Sequence, residues 1–290
     1  MIPPPFDYHR PSSLSEATAL LTRLGEEARP LAGGHSLLPM LKLRLASPAH
    51  LIDLAEIAEL RGIAIEADRI RLGAMVTQRE IAASEPLARV LPILRETAFQ
   101  IADPQVRARG TIGGNLANGD PGNDMPAVML ALDARYVLVG TSGERRVPAR
   151  GFYEAAYATA LRPGEILAAV EIPRPAAGHG WAYEKLKRKV GDYATAAAAV
   201  VLEVADGQIA RCAIGLTNLA DTPLLAEAAA AAVTGTALGP EALSKAAAEA
   251  EAIMQPASDG RGPAHYRRKV GGVMVRRALE KAFARAAGRG

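Results

Sequence analysis

The sequence predicts a protein of mixed helices and strands, with two domains or one domain of two lobes. Three observations lead there. The chain has 290 residues, more than one average domain, and its 49% hydrophobic content is enough to bury a substantial core. A strand–helix–strand order opens the chain, and the texture then changes to a hairpin and further helices. A turn-rich stretch, Pro173-Arg174-Pro175 followed by Gly178 and Gly180, reads as a linker. The expected boundaries are lobe 1 at about 1–55, lobe 2 at about 56–176 and a C-terminal domain at 177–290.

In the first lobe, Ser13 and Glu16 have capping-box spacing before Ala17, Leu20, Leu21 and Leu24, and Gly25 closes that helix. A strand at Arg29–Ala32, a small helix near Leu37–Leu45 and a strand at His50–Leu54 then suggest a βαβ-like unit. The second lobe opens with a hairpin, Gly62–Ile65 and Ile70–Leu72 about an Asp68-Arg69 turn. Thr77 and Glu80 form a second capping box, and helical pattern runs on through Pro92 to about Gln100. Met125–Leu132 reads as helix, and Tyr136–Val139 and Ile166–Ile172 as strands. Beyond the linker, Trp181–Arg188, Thr195–Val204 and Gln208–Thr217 predict three antiparallel strands, with Asp206-Gly207 as a hairpin turn. The Ala-rich remainder reads as three helices separated near 235–240 and 256–263.

Composition narrows the function classes. With Lys+Arg 34 against Asp+Glu 31, the net charge of +3 is too balanced to point to nucleic acid. Met1 to Phe6 lacks the basic and apolar regions of a signal peptide. The best candidate for a span, Ala194–Leu202, is too short to cross a bilayer, so a cytoplasmic protein is the expectation. The single cysteine, Cys212, reads as a buried structural thiol. It cannot supply the thiolates of an iron–sulfur cluster, so any such centre must lie on another chain.

Two glycine-paired loops carry the chemistry. One is Ala32-Gly33-Gly34-His35-Ser36, between a strand and a helix; the other is Thr111-Ile112-Gly113-Gly114-Asn115, running on to Asp120-Pro121-Gly122-Asn123-Asp124. Paired glycines allow positive φ and close approach, so consecutive amides can converge on an anion, and a following helix adds its dipole. Ser36, Thr111 and Asn115 carry side chains able to donate to phosphate oxygens. Each loop alone reads equally as a tight turn without a ligand. Neither has the G-x-G-x-x-G pattern of a Rossmann nucleotide site, and no P-loop occurs. Leu38 stands where a nucleophile elbow around Ser36 needs glycine, and Ala131 stands where a calcium loop from Asp120 needs glutamate.

The pair AGGHS and TIGGN, the hairpin between them, the Asp124 segment and Lys185-Leu186-Lys187-Arg188-Lys189-Val190-Gly191-Asp192-Tyr193 resemble the FAD-binding medium subunit of molybdenum hydroxylases across the whole chain. Within that family they resemble the aerobic carbon monoxide dehydrogenase branch. The resemblance implies a flavoprotein fold of vanillyl-alcohol-oxidase (PCMH) type, two α+β lobes around FAD, plus a C-terminal domain with a three-stranded antiparallel sheet and helices. It also implies non-covalent FAD held by Leu31, Ala32, Gly33, Gly34, His35, Ser36 and Leu37 at the pyrophosphate and adjoining oxygens. Thr111, Gly114, Asn115, Ala117 and Asn118 would lie along the same cofactor, with Asn123 and Asp124 at its ribityl or adenosine portion. Ile101, Ala102, Leu161 and Lys187 would meet the flavin end, Lys187 favouring an anionic reduced ring, and Tyr193 would cover one face.

Plainer readings stand beside these. Asp124 has the position of a helix cap, Tyr193 suits a core aromatic, and Lys185, Lys187 and Lys189 alternate as one solvated face would. His35 has no second histidine at ligand spacing, so no metal is expected on this chain. No catalytic acid or base is expected either.

The resemblance places the molybdenum cofactor on a large partner subunit and 2Fe–2S clusters on a small one, in a heterohexameric complex. Leu37, where xanthine dehydrogenases of the family carry an acidic residue, suits electron donation to a quinone or similar acceptor, with the complex at the inner face of the membrane. Carbon monoxide is the expected substrate of the complex, ahead of N-heterocycles or aldehydes. The alternatives are a stand-alone flavin oxidase and a flavin-free scaffold. The basic helix carrying Arg276, Arg277, Lys281, Arg285 and Arg289, with a Val275, Leu279 and Phe283 stripe, reads as an amphipathic surface helix.

Overall fold

Residues 2–288 are described by a computed structural model of the chain. In the first lobe, β1 (Asp7–His9) is followed by α1 (Leu14–Leu24), β2 (Ala28–Leu31), α2 (Leu37–Lys42) and β3 (His50–Asp53). β1 and β2 both pair in parallel with β3, which lies between them, so β2-α2-β3 is the expected βαβ unit. Ser13 caps α1 by accepting from the Glu16 amide, but the box stays open: the Glu16 carboxylate accepts from the Ser12 amide at 2.8 Å.

The second lobe begins with the antiparallel hairpin β4 (Ile63–Ile65) and β5 (Arg69–Gly73). Three helices follow where one continuous pattern was expected: α3 (Gln78–Ala83), α4 (Glu85–Val90) and α5 (Pro92–Gln100). Ser84 ends the first in extended conformation while its side chain caps the second. Pro92 forces Leu91 out of helical geometry. Thr77 and Glu80 form the full capping box. The glycine-rich stretch then folds as α6 (Pro104–Arg109), α7 (Ile112–Ala117) and α8 (Asp124–Ala131). The strands β6 (Arg135–Gly140), β7 (Gly143–Pro148), β8 (Tyr153–Ala155), β9 (Ala158–Thr159) and β10 (Ile166–Pro173) complete the lobe, whose main sheet has the order β4-β5-β10-β6-β7.

The C-terminal sheet is β11 (Gly180–Leu186), β12 (Ala196–Ala205), β13 (Gln208–Thr217) and β14 (Leu224–Leu225), all antiparallel. It has four strands rather than the expected three, because a two-residue edge strand is too short to carry a periodic signal. Asp206 and Gly207 both take positive φ, as a two-residue hairpin turn requires. α9 (Glu227–Val233), α10 (Pro240–Ile253) and α11 (Ala264–Ala286) follow.

α8 explains how the second lobe locks to the C-terminal domain. All eight of its residues are buried. A side chain at Gly215 of β13 would strike the Ala127 backbone, and one at Gly180 of β11 would strike Ala282 of α11. The sheet is thus covered on both faces, which accounts for the fully buried Ala196–Ala199 run. α11 is the expected amphipathic helix, with its apolar stripe turned onto the C-terminal domain's own core. Val275 and Leu279 are buried, Phe283 packs on the same core, and Lys281 and Arg285 reach Glu96 at 3.4 and 2.6 Å. Arg276 and Arg277 are exposed, and Arg289 lies outside the described residues. Cys212 is half-buried on β13, and burial pushes its thiol up to about 12. Among the described residues no helix is long and apolar enough to cross a membrane.

Candidate functional site

A cavity of about 620 Å³ opens where the loop after β2, the α5–α8 stretch and the β11–β12 connection meet. That is within the roughly 300–1,000 Å³ typical of small-molecule and cofactor sites. It gathers all but two of the sequence-predicted residues. Ala32 to Leu37 line it, with Ile101, Ala102, Thr111, Gly114, Asn115, Ala117, Asn118, Asn123, Asp124, Leu161 and Tyr193. Leu31 and Lys187 do not line it; Leu31 ends β2, and Lys187 faces the carbonyl of Gln100.

The two loops work differently. Among the described residues, the five amides from Gly33 to Leu37 have no acceptor within the chain; the first helical bond here runs from the Leu38 amide to the Gly34 carbonyl. Gly34 makes this possible with φ +77. Five consecutive free donors on one cavity wall form a cradle for an anion.

The second loop offers no such run, contrary to the expectation of two matching loops. Its amides are spent on the fold: Ile112 donates to Val76, Gly113 to Ala74, and Gly114 to the Thr111 hydroxyl, at 2.8, 2.9 and 3.1 Å. Its glycines sit inside α7, and Gly113 is glycine because Ala74 fills the space of a side chain, with its carbonyl 2.8 Å from the Cβ position. What this loop leaves available to a ligand is therefore side-chain groups. Asn115 Oδ1 is buried without a partner among the described residues, and Asn123 Nδ2 holds the Asn115 carbonyl at 2.7 Å.

Between α5 and α6 lies a strained turn. Ala102 has φ 43, unusual for a residue with a side chain. Three cations hold the carbonyls around it. Lys185 and Lys187 donate to Gln100 at 3.3 and 3.1 Å, and Arg107 donates to Ile101 and Ala102 at 2.8 and 3.3 Å. Burial and the neighbouring Lys185 charge lower the Lys187 ammonium from its usual value. Strain held in this way beside a cavity is characteristic of ligand sites.

Asp124 is not a helix cap. It is the first residue of α8, and its carboxylate accepts from Tyr183 at 2.5 Å and Lys185 at 2.8 Å. Burial drives its carboxyl above the usual range, against the pull of Lys185 and Tyr183. Lys185 and Lys187 share a face, as their alternation predicts, but the Lys185 side chain is 1% exposed, so that face is not a solvated one. Tyr193 is 41% exposed at the cavity and is no core aromatic. His35 is exposed, and no cluster of metal-ligating side chains occurs among the described residues.

Sequence reasoning missed Lys185, Tyr183 and Gln78. Gln78 lines the cavity, is 2% exposed, and neither atom of its amide group finds a partner among the described residues. The only available signal was Lys185's place on the Lys187 face. The set as a whole suits an elongated ligand: amides for a phosphate centre, Asn115 and Thr111 for hydroxyls, and Met75, Ile101, Ala102, Leu161 and Leu167 for an apolar end.

Comparison with known proteins gives two family matches. Residues 4–175 match the FAD binding domain in molybdopterin dehydrogenase, and residues 181–282 match the CO dehydrogenase flavoprotein C-terminal domain. The chain is 62% identical over 286 residues to the carbon monoxide dehydrogenase medium chain of Afipia carboxidovorans, covering 99% of each. It is 50% identical over 287 residues to the medium chain from Hydrogenophaga pseudoflava, covering 99% of this chain and 100% of that one. A chain of the reconstituted CO dehydrogenase from Oligotropha carboxidovorans superposes with a TM-score of 0.97 at 61% identity, covering 98% of this chain and 100% of that chain.

Proposed function

This chain belongs to the FAD-binding medium-subunit family of molybdenum hydroxylases, and on that premise we propose that it is the flavoprotein subunit of an aerobic carbon monoxide dehydrogenase. The run of free amides from Gly33 to Leu37 carries the reading, because it supplies what a pyrophosphate needs and the fold leaves it unused. The substrate assignment rests on full-length identity to two medium chains named for carbon monoxide.

In this reading the first loop holds the pyrophosphate. Thr111, Asn115, Asn118 and Asn123 orient the hydroxyls of the sugar and ribityl portions, while Ile101, Ala102, Leu161 and Tyr193 shape the flavin end. Lys187 acts on that end through the Gln100 carbonyl rather than by touching it. When bound, FAD supplies redox chemistry, taking up electrons delivered by iron–sulfur clusters and releasing them in pairs. No side chain of this chain needs to act as general acid or base.

A medium chain works in a complex with a large and a small subunit, here those carrying the molybdenum cofactor and the 2Fe–2S clusters. Leu37 lines the cavity where xanthine dehydrogenases of the family carry an acidic residue, which suits a quinone-type acceptor at the inner face of the membrane. The test is assembly of the chain with its large and small subunits. Carbon monoxide should then reduce a soluble quinone analogue, and omission of this chain should stop quinone reduction while the iron–sulfur clusters still reduce. Quinone reduction at full rate without the chain would refute the assignment.

A further inference from the structure

The β11–β12 connection brings Gly191, Asp192 and Tyr193 to the cavity, and its conformation is set from outside. Gly122 lies under the Tyr193 ring, with Cδ1 2.7 Å from where a glycine side chain would begin. On the ring stands Arg261, its guanidinium carbon 5.7 Å from the centroid. Arg261 belongs to the tight turn Asp259–Gly262 ahead of α11, and that turn is rigidly held. The Arg261 amide donates to Asp259 at 2.7 Å and its guanidinium bonds the same carboxylate at 2.9 Å. Buried Arg267 lies 3.5 Å from Asp259 and donates to the Ala257 carbonyl at 2.8 Å. The other end of Arg261 reaches Asp192, 3.6 Å away, whose carboxylate also receives Arg188 at 2.9 Å. Arg188 in turn donates to Gly260 at 2.8 Å.

We propose that Arg261 is a positioning residue for Tyr193: it clamps the ring against Gly122 and fixes Asp192 beside it, so that the 259–262 turn sets the shape of the flavin end of the site. The inference rests on the FAD reading above. Arg261 itself does not line the cavity, so its effect on the cofactor passes through Tyr193 and Asp192, which do, and chiefly through the ring it stands on.

The test is a double-mutant cycle in the assembled complex, with Arg261→Ala, Arg261→Lys, Tyr193→Ala and the double variant Arg261→Ala/Tyr193→Ala. FAD dissociation constants and the position of the flavin absorption band are measured, and thermal midpoints monitor folding. Arg261→Ala should weaken FAD binding by about three- to tenfold, the fold-change of a partly desolvated cation–π contact. It should also shift the band, and Arg261→Lys, which keeps the charge but not the fork that bridges Asp259 and Asp192, should recover only part of both effects. In the Tyr193→Ala background, loss of Arg261 should have a much smaller effect on both readouts, limited to what passes through Asp192. An equal loss of affinity in both backgrounds, or an unchanged affinity and band in Arg261→Ala, would overturn the proposal. A wild-type complex that takes up no FAD would instead overturn the functional reading, and this inference with it.

Discussion

Lys185 Nζ lies 2.8 Å from Asp124 Oδ2, and the two side chains are 1% and 6% exposed. One comes from β11 and the other from the start of α8, so a buried ion pair joins the C-terminal sheet to the second lobe at the cavity. Removing one partner strands a buried charge. Lys185→Met should cost about 3–5 kcal/mol in denaturant unfolding, and Asp124→Leu/Lys185→Met should recover much of that loss. Recovery of stability without recovery of FAD affinity would mark the pair as a feature of the site rather than of the fold.

The two glycine pairs should separate on mutation. Gly113→Ala forces a side chain into Ala74 and should lower stability by about 1–3 kcal/mol whether or not FAD is present. Gly34→Ala strains a left-handed residue by about 1–2 kcal/mol. Since Gly34 shapes the free-amide run, FAD titration of the assembled complex should show about a tenfold loss of affinity.

Arg107→Met should release the Ala102 turn. Two hydrogen bonds from one guanidinium are lost, at about 1.5–3 kcal/mol for a charged donor. The flavin absorption band of the complex should shift as well, because Ile101 and Ala102 line the cavity. An unshifted band with lowered stability would limit Arg107 to a structural part.

Glu96 gives the chain an acid-side weakness. Burial raises its carboxyl, but hydrogen bonds from Arg285 and the Tyr183 amide, with the charges of Arg285 and Lys281, bring it below the ordinary 4.5. The folded chain then holds the carboxylate more firmly than the unfolded chain does. Its stabilisation is complete above about pH 4.5 and is lost as pH falls through the lowered folded value. Glu96→Gln should be less stable than wild type near neutrality, and the two stability–pH curves should converge on the acid side. Parallel curves would contradict this.

The sequence exposed local features well. Gly25, Asp206-Gly207 and the Thr77/Glu80 box each fix a turn or cap through a few adjacent residues, and the structure has all three. The AGGHS loop was legible for the same reason. The TIGGN loop was half-legible: its place at the cavity was right, but paired glycines do not reveal whether they serve a ligand or, like Gly113 against Ala74, a neighbouring strand end. Asp124 was not legible together with Tyr183 and Lys185, from which it lies about 60 residues away in the chain, because they join only when α8 packs against the C-terminal sheet. Lys185 also sits in a cationic run, where composition argues for solvent and only packing reveals burial.

The most direct measurement is an equilibrium FAD titration of the complex assembled with its large and small subunits, read by flavin fluorescence and by the cofactor released on denaturation. One FAD per copy of this chain is predicted, with affinity falling in Gly34→Ala while the protein stays folded. A complex with its full molybdenum and iron–sulfur content that binds no FAD, or binds it equally well in Gly34→Ala, would contradict the account.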